Sequence, residues 1–155
     1  MGKTKIVAVK GKGKIQNATA LEVDGVKFKS KLELFTYNKL LENGIIDFKY
    51  EEMKFTLLEP FEYNEEAIEV KKDKKYIEAS NNIRAITYLP DFSRVNDQKE
   101  GYIIECKGFN NDAFPIKWKW FKDHLVRNGY KVTLYKPNNQ QNVLKTIELI
   151  KQKFY

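Results

Sequence analysis

The segment YLPDFSRVNDQKEGYIIECKGF, Tyr88 to Phe109, decides how this chain is read. It closes one apolar arm, IRAITYLPDF (83–92), turns through NDQKEG (96–101) and opens another, YIIECKGF (102–109). Both arms read as strands, and Pro90 marks the end of the first or a sheet edge. Side chains alternate across a strand, so Glu105 and Lys107 share a face with Ile103 while Tyr102, Ile104 and Cys106 face the other way. Counting back across the turn brings Asp91, fourteen positions before Glu105, opposite the 105–107 end. One pleat face then holds Asp91, Glu105 and Lys107. An ordinary cross-strand ion pair on a wet sheet face is the bland reading. The arms are otherwise apolar on both faces, however, as in a covered central sheet. Two carboxylates and a lysine are costly there unless a group such as a divalent cation compensates them.

Working outward, ALEVDGVKF (20–28) reads as a short hairpin turning at Asp24-Gly25. Ser30 opens a helix over 31–42 that Asn43-Gly44 stops. IIDFKYEEMKFTLL (45–58) alternates through Ile46, Phe48 and Tyr50, breaks, and resumes at Met53, Phe55 and Leu57. That pattern predicts one long bent strand or two short ones. Residues 59–82 form a charged insertion or loose hairpin after Pro60. Beyond the break NND (110–112), Pro115 suits the first turn of a helix that ends at Asn128-Gly129. YKVTLY (130–135) is a fourth strand, and Asn142 is expected to cap a last amphipathic helix through Phe154. The resulting order is helix, three strands, helix, strand, helix. The third strand, second helix and fourth strand make a right-handed βαβ crossover, so the sheet is mixed. The fold class is α/β (α+β), an αβββαβ core with an N-terminal hairpin and a C-terminal helix.

With 155 residues, 42% hydrophobic, the chain reads as a basic arm over 1–20 and one domain over 21–155. Its net charge of +7 favours anionic partners such as nucleic acid. The charge is uneven. Residues 1–20 carry five Lys and no acid, residues 107–136 seven Lys or Arg against two Asp, and residues 59–82 seven acids against four Lys. No apolar run approaches the roughly 18 residues of a membrane span, and the N-terminus lacks the core of a signal peptide. One Cys excludes an intrachain disulfide, and one Cys with one His excludes a Cys/His zinc site within the chain. An intracellular, reducing setting, the cytoplasm, fits.

Glu33 adds a third acid. SKLE (30–33) fits a capping box in which Glu33 bonds back to the Ser30 amide. Yet Glu33 also lies between Tyr37 and Leu40 on the helix stripe that should face the sheet, so it aims at the same interior. In the second helix Trp118, Phe121 and Leu125 share a core face, while Lys117, Lys119 and Lys122 offer phosphate contacts. Other chemistries fall away. His124 is alone, Cys106 points away from Glu105, and GKGK (11–14) lacks the spacing of a phosphate-binding loop.

FKSKLEL, YLPDF, YIIECKGF and a basic helix, in that order, resemble the PD-(D/E)XK nuclease superfamily, and more narrowly its phage-encoded endonucleases of the Holliday-junction-resolvase type. The resemblance covers roughly residues 22–135. It implies a restriction-endonuclease-like core and divalent-cation-dependent hydrolysis of phosphodiester bonds, leaving 5′-phosphate and 3′-hydroxyl ends. Asp91 and Glu105 match the family's metal-binding acids, Lys107 its catalytic lysine and Glu33 its helix-borne acid, and the Cys106 carbonyl corresponds to a further ligand. One or two Mg2+ ions are implied, with Mn2+ as the substitute. DNA, branched in the leading reading, is the expected partner, met by Lys10, Lys12, Lys14, Ser30, Lys117, Lys119 and Lys122. Two cuts need two sites, which points to a homodimer. The alternatives are a nicking or restriction-type enzyme on linear duplex, and a non-catalytic nucleic-acid-binding protein on the same scaffold. The 59–82 insertion and the N-terminal arm depart from the family's minimal pattern.

Overall fold

The computed structural model describes residues 21–23, 25–70, 76–78, 81–108 and 113–155. The expectations for Lys10, Lys12 and Lys14, for Asp24 and for the break at 110–112 lie outside the described residues. Strands β1 (Leu21–Val23) and β2 (Val26–Phe28) form the expected hairpin, with Gly25 in the left-handed region at φ 81°. Helix α1 (Lys31–Glu42) runs over the span read from the sequence. The Ser30 side chain accepts the Glu33 amide at its start, and Gly44 takes a φ of 75° just past its end.

The 45–58 run resolves into two strands, β3 (Lys49–Tyr50) and β4 (Phe55–Leu58). Glu51 sits between them at φ 47°, a left-handed backbone that redirects the chain. Two further pairs then build a stepped hairpin across the charged segment: β5 (Phe61–Glu62) with β8 (Asn82–Ile83), and inside it β6 (Ile68–Val70) with β7 (Tyr76–Glu78). The IRAITYLPDF arm divides at Pro90 into β9 (Ile86–Tyr88), which pairs with β4, and β10 (Phe92–Val95). Strand β11 (Glu100–Ile104) follows the turn, then α2 (Phe114–Arg127), β12 (Lys131–Tyr135) and α3 (Gln140–Phe154).

The central sheet has the order β12-β11-β10-β3, parallel between β11 and β12 and antiparallel elsewhere. The fold is therefore mixed α+β with a mixed sheet and a C-terminal helix, as expected. One correction concerns α3: its cap is Asn139, whose side chain accepts the Asn142 amide, so Asn142 is the residue capped. With Asn at 138, 139 and 142, composition alone did not say which one leaves the helical backbone.

Both sheet faces are covered. On one side Phe92, Tyr102, Ile104 and Cys106 pack with Leu40 of α1 and Val143, Ile147 and Ile150 of α3. On the other, Ile103 packs with Phe55 and Leu57 of β4, Tyr88 of β9, and Phe121 and Leu125 of α2. The alternation read in YIIECK is this partition. Trp118 and Trp120 also pack against the second cluster. No helix among the described residues is long and apolar enough to cross a membrane.

Candidate active site

The two breaks in strand order, at Glu51 and Pro90–Asp91, lie side by side, because the Glu51 N–H donates to the Asp91 carbonyl at 2.9 Å. Phe92 pairs with Ile104, so Asp91 faces Glu105 across the end of the β10–β11 ladder. Beyond that ladder the chain still follows β12. The Glu105 N–H donates to the Tyr135 carbonyl at 2.9 Å and the Lys107 N–H to the Pro137 carbonyl at 3.0 Å. The motif is thus held extended against the chain that leaves β12 at the sheet's end. The Cys106 N–H, which points away from that partner strand, donates to Asp91 Oδ2 at 2.6 Å and ties the two arms together.

Asp91 and Glu105 are each 8% exposed and Glu33 5%. Removal from water favours the neutral form of an acid. Burial first, then the charges of Glu105 and Glu33, pushes the Asp91 carboxyl up to about 8, against the pull of the Cys106 amide. Glu105 is also raised, chiefly by burial; the Tyr88 hydroxyl and the Lys107 ammonium oppose the rise. Tyr88 is close enough to couple with Glu105 electrostatically, yet neither its hydroxyl nor Glu105 Oε2 forms a well-shaped hydrogen bond among the described residues. Glu105 Oε2 is therefore buried beside the Tyr88 hydroxyl without a well-shaped hydrogen bond among the described residues, an arrangement that is expensive unless another group meets it.

Glu33 reaches the acids from the α1 layer, and its bonding differs from expectation. Oε2 accepts the Lys29 N–H at 2.9 Å and the Tyr50 hydroxyl at 2.7 Å, while Oε1 accepts the Ser30 hydroxyl at 2.8 Å. The capping box closes on the Lys29 amide and the Ser30 hydroxyl rather than on the Ser30 amide. Glu33 is both a cap and a fixed wall of the acid cluster. Ser30, expected near phosphate, has its hydroxyl engaged in this cap.

Lys107 holds its ammonium 4.8 Å above the Phe114 ring, at the start of α2, and Lys136 lies 5.6 Å from the same ring. Glu105, Lys107, Tyr88, Phe114 and Lys117 line a pocket of about 240 Å3. A larger cavity, about 570 Å3, lies at the β3–β10 edge beside Asp47, Lys49 and Arg94 and contains none of the three acids. Of the other helix lysines, Lys119 is exposed, and Lys122 sits 5.5 Å from the Trp118 ring. The Cys106 side chain lies in the core, its Sγ 3.2 Å from Thr36 Oγ1, and burial pushes its thiol up.

The fold thus brings Asp91, Glu105 and Lys107 together at one end of the sheet, with Glu33 as a neighbouring wall and Lys117 across the pocket. Among the described residues, no three His, Cys, Asp or Glu side chains converge closely enough, as they stand, to hold one metal ion. Four residues the sequence reading did not single out also belong here: Lys29, Tyr50, Glu51 and Tyr88. Only Tyr50 and Tyr88 carried a local signal, as inward positions on strands.

No curated protein and no solved structure matches the chain. The family model described as a protein of unknown function (DUF1064) matches residues 11–146, and the chain belongs to that family.

Proposed function

We propose that this chain is a divalent-cation-dependent, structure-selective DNA endonuclease of the PD-(D/E)XK type, acting on branched DNA as a homodimer in the cytoplasm. One observation carries the reading: Asp91 and Glu105 meet, buried, across the end of two central strands, with Lys107 two residues further along and lining the same pocket as Glu105. The chemistry of the donor set fits a hard cation. It consists of oxygen donors, one of them a buried carboxylate oxygen that makes no well-shaped hydrogen bond among the described residues. Asp91, Glu105 and the Cys106 carbonyl would hold one or two Mg2+ or Mn2+ ions, with Glu33 behind them.

A bound ion supplies Lewis-acid polarisation of the scissile phosphate and a more acidic water. The chain's own groups do the rest. Lys107 swings its long stem from the Phe114 ring toward the phosphate, orients the attacking water and offsets charge developing on the phosphoryl oxygens. Tyr50, Ser30 and the Lys29 amide hold Glu33 in one orientation. Lys117, Lys119 and Lys122 contact the DNA backbone, so affinity falls with salt. Two cuts on opposite strands need two copies of this site.

The test incubates the protein, Lys107→Ala and Glu105→Gln with labelled four-way junction and with linear duplex, in Mg2+ or EDTA. Cleavage of the junction that needs Mg2+ and both side chains supports the reading. Equal cutting of both substrates points to an enzyme of linear duplex, and binding without cutting under Mg2+ and Mn2+ points to a non-catalytic role. Cutting in EDTA, or by Lys107→Ala at full rate, refutes the site.

A further inference from the structure

Lys29 and Glu51 form an ion pair that bridges the β2–α1 junction and the β3–β4 junction, directly beside the acid cluster. Each residue is also tied to one of the acids through its backbone. The Lys29 N–H donates to Glu33 Oε2, and the Glu51 N–H donates to the Asp91 carbonyl. Glu51 holds a left-handed backbone, φ 47°, that non-glycine residues adopt rarely and at a cost. Its side chain is 19% exposed, whereas that of Lys29 is 68% exposed. The Lys29 charge acts first on Glu51, then on Glu33 and Asp91, and it also reaches Glu105. A largely solvated ammonium therefore pairs with one carboxylate at the margin of a mostly buried acid group, and its exposure lets it leave without unpacking the core.

We propose that Glu51 is a fourth carboxylate of the cation site and that Lys29 is its internal counter-cation, displaced when a divalent ion binds. The inference rests on the divalent-cation reading above. An ammonium carries one charge and pairs with one carboxylate here. A divalent ion carries two charges and gathers several oxygens, so it outcompetes the lysine where the acids are dense. Lys29 then sets the affinity for the ion by competing with it. It also protects the ion-free fold from the repulsion of its own acids.

Calorimetric titration of the full chain with Mn2+, without DNA, tests this, together with thermal melting in EDTA. Lys29→Met should tighten Mn2+ binding roughly fivefold, the effect of removing one partly screened charge near the site, and should lower the melting temperature in EDTA. Lys29→Arg, which keeps the charge, should resemble the parent in both measurements. Glu51→Gln should weaken Mn2+ binding about tenfold. If Lys29→Met leaves Mn2+ affinity unchanged or lower, or Glu51→Gln leaves it unchanged, while Asp91→Asn abolishes binding, the pair has no such role and the cation site itself stands. If Mn2+ does not bind the parent, or binds Asp91→Asn at full strength, the cation reading falls along with this one.

Discussion

A buried, repelled carboxylate should weaken the fold that contains it, and Asp91 gives a way to measure by how much. In the unfolded chain an aspartate titrates near 3.9. In the fold, burial and the charges of Glu105 and Glu33 raise Asp91 to about 8. Below pH 4 both states hold the proton and the residue is neutral toward stability. Between the two values the unfolded chain ionises while the folded one keeps its proton, so stability falls with rising pH by about 1.4 kcal/mol per pH unit. The loss is complete by about pH 8. At pH 7 the gap from 3.9 gives about 4 kcal/mol, which sharing of the proton with Glu105 reduces to about 2–4 kcal/mol. Asp91→Asn removes the ionisation and keeps an oxygen for the Cys106 amide. The variant should be more stable than the parent by that amount in EDTA at pH 7, and equal to it near pH 4. Urea denaturation at the two pH values measures the difference. A variant that is less stable at pH 7, or whose effect is the same at both pH values, refutes the account of a strained acid pair.

Three other outcomes follow from single features. Gly101→Ala should destabilise by about 3 kcal/mol or more in thermal melts, because a Cβ there would lie 1.9 Å from the Arg94 carbonyl oxygen at a φ of 148°. Phe121→Ala should cost about 3–5 kcal/mol by urea denaturation, since this fully buried ring packs against Phe55, Tyr88 and Trp118. Tyr50→Phe removes one of three donors to Glu33 and should lower stability by about 1 kcal/mol. Its junction cleavage should fall further than that loss of folded protein explains, as activity per folded molecule will show.

How much of this was legible depended on the range of the interaction. Helix α1 could be read to its ends because a cap at Ser30 and a glycine at 44 act within one turn of the residues they affect. The Asp91–Glu105 register could be counted because a hairpin turn links the two strands directly. The split of the 45–58 run was only half legible. Alternation showed the break, but the unglycined left-handed backbone at Glu51 leaves no trace in the letters EE. Asn139 displaced Asn142 as the cap of α3 for a related reason: three asparagines compete, and only the fold shows that the extended backbone falls at Asn139.

By itself, the sequence determined the order of the three helices and of the strands next to the acids, the two-faced character of the central strands and the placement of an acid, an acid and a lysine on one pleat. These follow from period and short-range stereochemistry, which each segment carries within itself. Only the tertiary structure decided how the acids are supported. Glu33 is held by Tyr50, seventeen positions away, and Lys29 meets Glu51 across twenty-two. Such partners are chosen by where the α1 layer settles on the sheet, and that is set by the packing of Leu40, Phe92 and Ile104 in a shared core rather than by any local rule.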